Sequence, residues 1–260
     1  MRLKALIFDV DGTLADTEDA HRNAFNDAFA AAGLDWHWHR ELYRELLRVA
    51  GGRERIAHYI DALPLAEPVK ARHRARIAEL HADKTRRYAQ RVAHGQVMLR
   101  PGIARLMTEA RMAGVRLALA TTTSPQNVVA LIGATLGAGA VDWFASRVCG
   151  DAVAAKKPSP EVYLRVLSEL GLRAEDCVAL EDSANGLRAA VAAGLCTVVT
   201  PTAWSAGEDL SAAALVIAHL GDAQRPLDAA DAARAGGPCL GLGAIERLCV
   251  ARADEMEALT

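Results

Sequence analysis

The sequence predicts an α/β fold in which a parallel sheet is flanked by helices and an all-helical segment is inserted after the first strand. Between residues 101 and 200, short apolar runs alternate with helical segments of 10 to 15 residues, which is typical of parallel strands joined by right-handed crossovers. Residues 36–95 show no strand pattern, and their apolar spacing is helical.

Composition indicates a globular protein with no electrostatic preference for nucleic acid. The 260 residues are 52% hydrophobic and 24% charged, with a net charge of -2. No apolar run reaches the length of a membrane helix. The five cysteines are widely spaced and form no CxxC pair, which favours free thiols over a zinc site. We expect a cytoplasmic monomer with no nucleic-acid or membrane partner.

The first predicted strand contains the apolar run Leu6, Ile7 and Phe8, which leads directly into Asp9, Asp11 and Gly12. A continuous apolar run with turn residues behind it is typical of a buried strand. Residues 15–32 then have apolar side chains at helical spacing and are followed by glycine. They are therefore predicted to form a helix.

The helical segment is predicted to form a separate cap. Residues 40–100 contain 14 Lys and Arg against 7 Asp and Glu, whereas the rest of the chain has 16 against 25. A solvated helical surface explains most of these arginines, so the charge alone identifies no ligand. The predicted division is residues 1–15 and 96–225 for the core, 16–95 for the cap, and 226–260 for a C-terminal extension with one helix.

The remaining elements follow from the same patterns. Helices are predicted at residues 102–114, 124–136, 161–171 and 184–194, and strands at 115–120, 144–149, 177–180 and 196–200. Beyond residue 225 the pattern weakens, and one terminal helix is predicted at 244–259.

Polar side chains follow four of the predicted strands or the loops between them. Because the carboxyl ends of parallel strands lie at one edge of a sheet, these side chains are expected to converge there. They are Asp9 and Asp11, Thr121, Lys156 and Lys157, and Glu181 and Asp182. Acid oxygens from two strand ends are suitable ligands for Mg²⁺.

These residue types suit phosphoryl transfer through a covalent intermediate. Asp9 is predicted to be the nucleophile and a metal ligand, forming an aspartyl-phosphate. Asp11 is predicted to protonate the leaving oxygen and then to activate water. The backbone carbonyl of Asp11 and the carboxylate of Asp182 are predicted to complete the protein's share of the metal ligands.

Positive charge and hydrogen-bond donors are expected around the transferred group. Lys157 is predicted to face the phosphoryl oxygens. Thr121 and backbone N–H groups near Gly12 and Thr122 are predicted to donate hydrogen bonds to them.

Several polar residues have more than one interpretation. Of the two adjacent lysines, Lys156 is expected to be a solvated loop residue. Glu181 either touches the metal or orients the site from behind. His21 either lies on the substrate side or is a capping or surface residue, and His37 and His39 are expected to serve packing or surface roles rather than metal binding, because no third ligand lies nearby.

The motifs DVDGT, Thr121 at a strand end, KKP and ED together resemble those of the haloacid dehalogenase-like hydrolases, which implies a Rossmann-like core with a small helical cap. Within that family, DGTLADTE, GGRERI, HADKT, KKPSPEVY and EDSANGLRAA resemble the CbbY-type phosphatases. The resemblance implies Mg²⁺ as cofactor and xylulose 1,5-bisphosphate, a sugar phosphate that inhibits Rubisco, as substrate.

The resemblance also assigns residues. It places the nucleophile, acid/base, phosphate-binding hydroxyl, lysine and metal acid on Asp9, Asp11, Thr121, Lys157 and Asp182. It implies substrate contacts at Glu18, His21, Gly52, Arg53, Arg55, Lys84 and Thr122. Arg53 stands where the family's loop often has lysine, and because arginine can bind phosphate through two parallel hydrogen bonds, substrate preference can differ.

Other functions share these motifs. A phosphosugar mutase of the β-phosphoglucomutase type differs only in passing the phosphoryl group to a sugar instead of water, and a phosphatase for another sugar phosphate would look the same. A dehalogenase has no use for a proton-transferring acid at Asp11. A non-catalytic binding module would be expected to lack Asp9 or Asp11, and both are present.

Overall fold

The computed structural model describes residues 3–249, and its centre is a six-stranded parallel sheet. The strands are β1 (Ala5–Phe8), β2 (Arg116–Ala120), β3 (Phe144–Val148), β4 (Cys177–Glu181), β5 (Cys196–Val199) and β6 (Leu215–Val216). Their order is β3-β2-β1-β4-β5-β6, and every neighbouring pair is parallel. The predicted α/β class is confirmed.

Helices connect the strands and form the segment between β1 and β2. They are α1 (Glu18–Ala31), α2 (Arg40–Leu46), α3 (Gly52–Ala62), α4 (Glu67–Ala75), α5 (Ile77–Ala93), α6 (Ile103–Met112), α7 (Pro125–Leu136), α8 (Glu161–Leu170), α9 (Ala184–Ala192) and α10 (Ala229–Ala235). Short 3₁₀ turns lie before β3, after β3 and before β4. A further helix begins at residue 242 and is described as far as 249.

The strand order places three carboxyl ends side by side at the middle of the sheet. Ala5 of β1 pairs with Arg116 of β2 on one side and with Cys177 of β4 on the other. From β1 the chain continues to β2 and β3 on one side, and later strands add to the other side. A ligand site is expected at such a reversal of strand order, beyond the carboxyl ends of β2, β1 and β4.

Alternate residues of each strand pack on opposite faces of the sheet. In β1, Leu6 and Phe8 lie in one apolar cluster, which includes side chains of α6 and α7. Ala5 and Ile7 lie in the other cluster, with side chains of α8 and α9. Both faces are thereby covered, which explains why the strands are continuous apolar runs rather than alternating ones.

Helices α1–α5 enclose an aromatic cluster of their own, built around Phe25, Phe29, Trp38 and Tyr43. The helices nevertheless also pack on the sheet, since Ala24 of α1 and Tyr88 of α5 belong to the cluster that includes Phe8. The residue limits of the cap remain a prediction.

The structure adds three details to the predicted elements. Strand β6 has two residues, too few to produce an apolar pattern in the sequence. Helix α10 lies in the Ala-rich stretch where no helix was expected. Pro68 lies in the first turn of α4, where proline is tolerated because the N–H groups of a first turn have no partner within the helix.

The C-terminal extension packs against the core. The Arg105 guanidinium of α6 donates to the backbone carbonyls of Leu220, Gly221 and Leu240. Leu240 and Ile245 are fully buried in the sheet's apolar cluster. The predicted terminal helix begins earlier than expected, and its residues from 250 lie outside the described part of the chain. Among the described helices, none has the length and apolar character needed to cross a membrane.

Candidate active site

One cavity of about 350 Å³ lies where the strand ends meet the inserted helices. It is lined by all thirteen residues that the sequence predicted to be catalytic or to lie at the substrate or the metal. They are Asp9, Asp11, Glu18, His21, Gly52, Arg53, Arg55, Lys84, Thr121, Thr122, Lys157, Glu181 and Asp182. The fold therefore brings residues from both sides of the predicted cap boundary into one site.

Asp9 and Glu181 share a buried lysine. The Lys157 Nζ atom donates to Asp9 Oδ1 and to Glu181 Oε1, each at 2.6 Å. Burial lowers the pKa of Lys157, but the two carboxylates outweigh it and hold that pKa well above its ordinary value. Tyr163 also donates to Glu181 Oε1, so Glu181 is held in place by two partners and fixes the lysine beside Asp9.

Asp9, Glu181 and Asp182 form an acidic cluster, with one oxygen of each lying within 4.8 Å of the others. Burial and Glu181 raise the pKa of Asp9 to about 8 against the opposing effect of Lys157, while burial, Asp9 and Glu181 raise that of Asp182. Three carboxylates against one ammonium leave an excess of negative charge. Hard oxygen donors with such an excess fit Mg²⁺.

Glu181 is the least available of the three for a metal. Its Oε1 accepts from Lys157 and Tyr163, and its Oε2 accepts from the Asp182 N–H at 3.3 Å. Of the two interpretations made from the sequence, these contacts favour orientation of the site from behind. Asp9 and Asp182 are the carboxylates with free oxygens.

The loop after β1 depends on Gly12 and on a buried arginine. Gly12 has a φ of +84°, and a Cβ there would lie 2.2 Å from Asp182 Oδ2, so a larger residue would displace the acidic cluster. The Arg100 guanidinium donates to the Gly12 carbonyl at 2.6 Å. The Gly12 N–H donates to the Ala15 carbonyl at 2.9 Å. The Gly12 N–H is therefore occupied within the loop, and phosphoryl binding by other backbone N–H groups near Gly12 stays a prediction.

Asp11 lies on the other side of the loop, in a chain of hydrogen bonds. Its Oδ1 accepts from the Thr17 hydroxyl at 2.7 Å and lies 2.9 Å from His21 Nε2. His21 Nδ1 lies 2.7 Å from Lys84 Nζ, and the imidazole stacks on the Tyr88 ring with centroids 4.0 Å apart. Because the Lys84 ammonium can only donate, His21 carries its hydrogen on Nε2 and donates it to Asp11.

This chain sets the ionisation of Asp11 and Lys84. Burial raises the pKa of Asp11, but His21, Thr17 and Lys84 outweigh it and hold that pKa well below the ordinary value. Burial lowers the pKa of Lys84 to about 8, although Asp11 favours its charged form. Asp9 and Asp11 thus differ in environment although they are two residues apart.

The threonines after β2 form the wall opposite these acids. The Thr121 hydroxyl oxygen accepts from the Thr123 N–H at 3.2 Å, which leaves its hydrogen free to donate into the cavity. Gly150 lies against the Thr122 carbonyl, where a Cβ would be 2.2 Å from the oxygen. Close approach of these two loops keeps Thr121 and Thr122 at the cavity wall.

Glu18 and Arg55 are joined through a tyrosine. The Tyr43 hydroxyl donates to Glu18 Oε2 at 2.9 Å and accepts from Arg55 Nη1 at 3.0 Å. Arg55 Nε also donates to the Leu46 carbonyl at 3.1 Å. Arg53 is exposed at the cavity, and its guanidinium is thus open to a ligand.

The structure corrects the interpretation of Lys156 and decides between the two interpretations of His21. Lys156 is not a solvated loop residue: its side chain is only 17% exposed, and Nζ donates to the Gly150 carbonyl. His21 is 4% exposed and bonded to Asp11, so the capping or surface interpretation is excluded.

The histidine pair His37 and His39 has surface and helix-end roles. The His39 side chain accepts from the Leu42 N–H as the N-cap of α2, and its ring lies 3.0 Å from Glu41. Among the described residues, neither histidine belongs to a cluster able to hold a metal.

Sequence reasoning missed several residues of the site. Tyr43, Tyr163 and Arg100 act through contacts with residues far away in the chain, so no local spacing identifies them. His81 lines the cavity, and burial together with Lys84 and Arg53 lowers its pKa to about 4. His81 precedes Lys84 by one helical turn in HADKT, and this spacing could have predicted that the two side chains lie on the same face of the helix.

The fold and the site define an enzyme that hydrolyses phosphate esters, and residues 3–194 match the haloacid dehalogenase-like hydrolases. The chain belongs to this family. It is 56% identical to the plasmid-encoded Protein CbbY of Cupriavidus necator, over 86% of this chain and 89% of that protein. The recognition of a CbbY-type phosphatase is confirmed.

Two similar crystal structures are of CbbY from Rhodobacter sphaeroides. The one in complex with phosphate has a TM-score of 0.77 and 48% identity, covering 84% of this chain and 94% of that one. The other is an aspartate-to-asparagine mutant in complex with xylulose 1,5-bisphosphate, with a TM-score of 0.77 and 47% identity, covering 85% and 98%.

Proposed function

We propose that the protein is a Mg²⁺-dependent phosphatase that removes one phosphate from xylulose 1,5-bisphosphate through an aspartyl-phosphate, and so removes an inhibitor of Rubisco. The observation that supports the chemistry is the pair Asp9 and Asp11, which lie on the loop after β1 in opposite electrostatic environments within a single cavity. The substrate is suggested by the similar structure in complex with this bisphosphate.

In the first step, a carboxylate oxygen of Asp9 attacks phosphorus, and the bond between phosphorus and the sugar oxygen breaks. Lys157, held at 2.6 Å from Asp9, keeps a positive charge beside the transferred oxygens. The free hydrogen of the Thr121 hydroxyl is available to the same oxygens. The product is a phosphoryl group on Asp9 and a sugar with a free hydroxyl.

Asp11 moves the protons of both steps. It gives a proton to the departing sugar oxygen and then takes one from the water that releases phosphate from Asp9. His21, Thr17 and Lys84 hold the pKa of Asp11 low, so the acid role requires that Asp11 gain a proton. A phosphate group brought close to Asp11 raises its pKa by like-charge repulsion, which is the direction that the acid role requires.

Mg²⁺ would be held by Asp9 and Asp182, the two carboxylates of the cluster with free oxygens. When bound, the cation supplies positive charge that favours the ionised nucleophile and offsets the charge of the substrate. The backbone carbonyl of Asp11 is a further proposed ligand.

The basic side of the cavity suits a second phosphate. Arg53, Arg55 and Lys84 all line it from the inserted helices α3 and α5. A bisphosphate with one group at Asp9 can place its other group among these side chains. Arg53 is the exposed member and can form two parallel hydrogen bonds to a phosphate.

The test is phosphate release from a panel of sugar monophosphates and bisphosphates with and without Mg²⁺. We expect release to need Mg²⁺, to be fastest with xylulose 1,5-bisphosphate, and to fall at least ~10³-fold in Asp9→Asn, which removes the nucleophile but keeps its shape. Full activity in Asp9→Asn would refute the mechanism. Preference for a hexose monophosphate would refute only the substrate, and conversion of that sugar to an isomeric phosphate would show a mutase.

A further inference from the structure

The loop between β5 and β6 places a core residue within the aromatic cluster of the inserted helices. Among the described residues, that cluster contains nine members from residues 25 to 80 and one from the distant loop, Trp204. Trp204 is 9% exposed and also lines the cavity, as do Ser205 and Glu208 of the same loop. The loop is thus a wall of the site contributed by the sheet-containing part.

Trp204 contacts two residues of helix α2. Its indole meets the Tyr43 ring edge to face, with centroids 5.5 Å apart at 87°. The Arg40 guanidinium carbon lies over the indole, 4.3 Å from the ring centroid, and forms a cation–π contact. The Arg44 guanidinium donates to the neighbouring Ala203 carbonyl at 2.7 Å.

The loop that carries Trp204 is fixed to the active-site edge of the sheet. Within it, the Trp204 N–H donates to the Thr202 hydroxyl at 3.1 Å, and the Thr202 N–H donates to the Ser205 hydroxyl at 3.0 Å. Glu208 Oε2 accepts from the Ala184 N–H at 2.6 Å, at the start of α9 and two residues after Asp182. Trp204 therefore stands on a support that is shared with the acidic cluster.

Tyr43 transmits this contact to the substrate side of the cavity. Its hydroxyl joins Glu18 to Arg55, and its ring rests on Trp204. Removal of the indole would leave a gap beside the tyrosine, and the two hydrogen bonds would lose their fixed geometry. Glu18 and Arg55 would then be less well placed for a ligand that reaches them.

We propose that Trp204 is a positioning residue that anchors the inserted helices to the core and, through Tyr43, sets the placement of Glu18 and Arg55 for the sugar-phosphate substrate. Among the described residues, neither Trp204 nor Tyr43 forms a hydrogen bond with Asp9, Asp11 or Lys157. Trp204 therefore governs the binding of substrates that extend to the inserted helices, and not the chemistry at Asp9. The part that concerns substrate rests on the proposed function.

The first test compares two substrates in Trp204→Leu, which keeps an apolar side chain but removes the ring. We expect KM for the sugar phosphate to rise ~10-fold, since an aromatic contact and the hydrogen bonds that depend on it are lost. KM for p-nitrophenyl phosphate, which has no sugar hydroxyl or second phosphate to contact Glu18 and Arg55, should change less than ~3-fold. Trp204→Phe restores a ring against Tyr43 and should recover most of the loss.

Trp143→Leu is the matched control. Trp143 also carries an arginine on its indole, with the Arg111 guanidinium carbon 4.1 Å from the ring centroid, but it does not line the cavity. Its substitution should leave both KM values unchanged. Equal changes for the two substrates in Trp204→Leu, or the same selective change in Trp143→Leu, would overturn the positioning role.

A second measurement does not need activity. Amide hydrogen exchange should accelerate in helix α2 in Trp204→Leu and stay unchanged there in Trp143→Leu, because only the first loses an anchor of that helix. Unchanged exchange in α2 of Trp204→Leu would refute the anchor. If the wild-type protein released no phosphate from any substrate, the proposed function would fail, while hydrogen exchange would still decide whether Trp204 anchors the helices.

Discussion

Asp9 and Asp11 show how two equivalent side chains on one loop acquire different chemistry. Asp9 points into an acidic cluster with one lysine, and burial keeps its pKa high. Asp11 is surrounded by donors from α1 and α5, and its pKa is low. Their positions on the same short loop do not explain this difference in pKa. The distinction comes from their neighbours: burial and Glu181 raise the pKa of Asp9, whereas His21 and Thr17 lower that of Asp11.

Lys84 is expected to lower stability at neutral pH. Its pKa is about 8 in the folded protein and ~10.4 in an unfolded chain, a difference worth ~3 kcal/mol. Between about pH 8 and about pH 10.4 the unfolded chain binds more protons at Lys84 than the folded protein does. The free energy of unfolding therefore rises with pH across this range, and the destabilisation by Lys84 is largest below about pH 8. Lys84→Met should therefore stabilise the protein at pH 7 and do so less at pH 10.

Urea denaturation of wild type and Lys84→Met at both pH values measures the effect. We expect a gain of ~1–3 kcal/mol at pH 7, reduced by the lost contact with His21. Lys70→Met on α4 is the control, since Lys70 contacts the Asp61 carbonyl at the surface. A gain that is the same at both pH values would contradict the assignment of its cause to the charge of Lys84.

The sequence could predict the residues that belong to local patterns. Asp9, Thr121 and Asp182 follow buried strands directly, and this spacing was sufficient to bring them to one cavity. Arg100 and Trp204 could not be found this way, because their partners lie on other loops and no periodicity relates them.

At the scale of elements, helix α9 and strand β4 pack closely beside the acidic cluster. A Cβ at Gly186 of α9 would lie 1.9 Å from Glu181 Oε2. Glu181 cannot easily move away, because Lys157 and Tyr163 hold its carboxylate. Because Gly186 has no side chain, the Glu181 carboxylate can occupy this position, and Glu181 in turn positions Lys157.

Gly186→Ala is expected to destabilise the protein by ~1–3 kcal/mol, because the added methyl group must displace a held carboxylate. Gly133→Ala is the matched control within helix α7, where an added Cβ meets no atom within 4 Å. That change should stabilise by up to ~1 kcal/mol through helix propensity. Thermal unfolding of both variants gives the comparison, and a stabilised Gly186→Ala would show that the carboxylate moves freely.

Elements with a long apolar pattern were predicted well, and short ones were not. The strands β1, β2, β4 and β5 each coincide with an apolar run that predicted a strand. Strand β6 forms because Leu215 and Val216 extend the sheet beside β5, which is a tertiary effect with no local signal. Helix α10 is rich in alanine, which has high helix propensity, but its apolar face was too weak to be recognised.

At the scale of the whole molecule, the C-terminal extension is part of the core although its sequence resembled no motif. Ile245 is 0% exposed and lies in the same apolar cluster as Phe8 of the central strand. Leu3 N–H donates to Glu246 Oε1 at 3.2 Å, which joins the extension to the start of β1. The extension therefore contributes to stability at a distance from the cavity.

Ile245→Ala should lower the free energy of unfolding by ~3 kcal/mol, the usual cost of emptying a fully buried aliphatic site. Because Ile245 does not line the cavity, KM and kcat of the folded enzyme should remain those of wild type. Met112→Ala, at a side chain 84% exposed, is expected to change stability by less than ~0.5 kcal/mol. A large change in KM for Ile245→Ala would contradict the separation of the extension from the site.

The two crossings between the sheet and the inserted helices lie side by side, and this has a mechanical consequence. Ala15 bridges to Leu99, and the Arg100 N–H donates to the Leu14 carbonyl at 2.8 Å. Arg100 also holds the Gly12 carbonyl from the sheet side. The chain therefore enters and leaves the inserted helices at one shared point, which Arg100 fixes to the loop that carries Asp9.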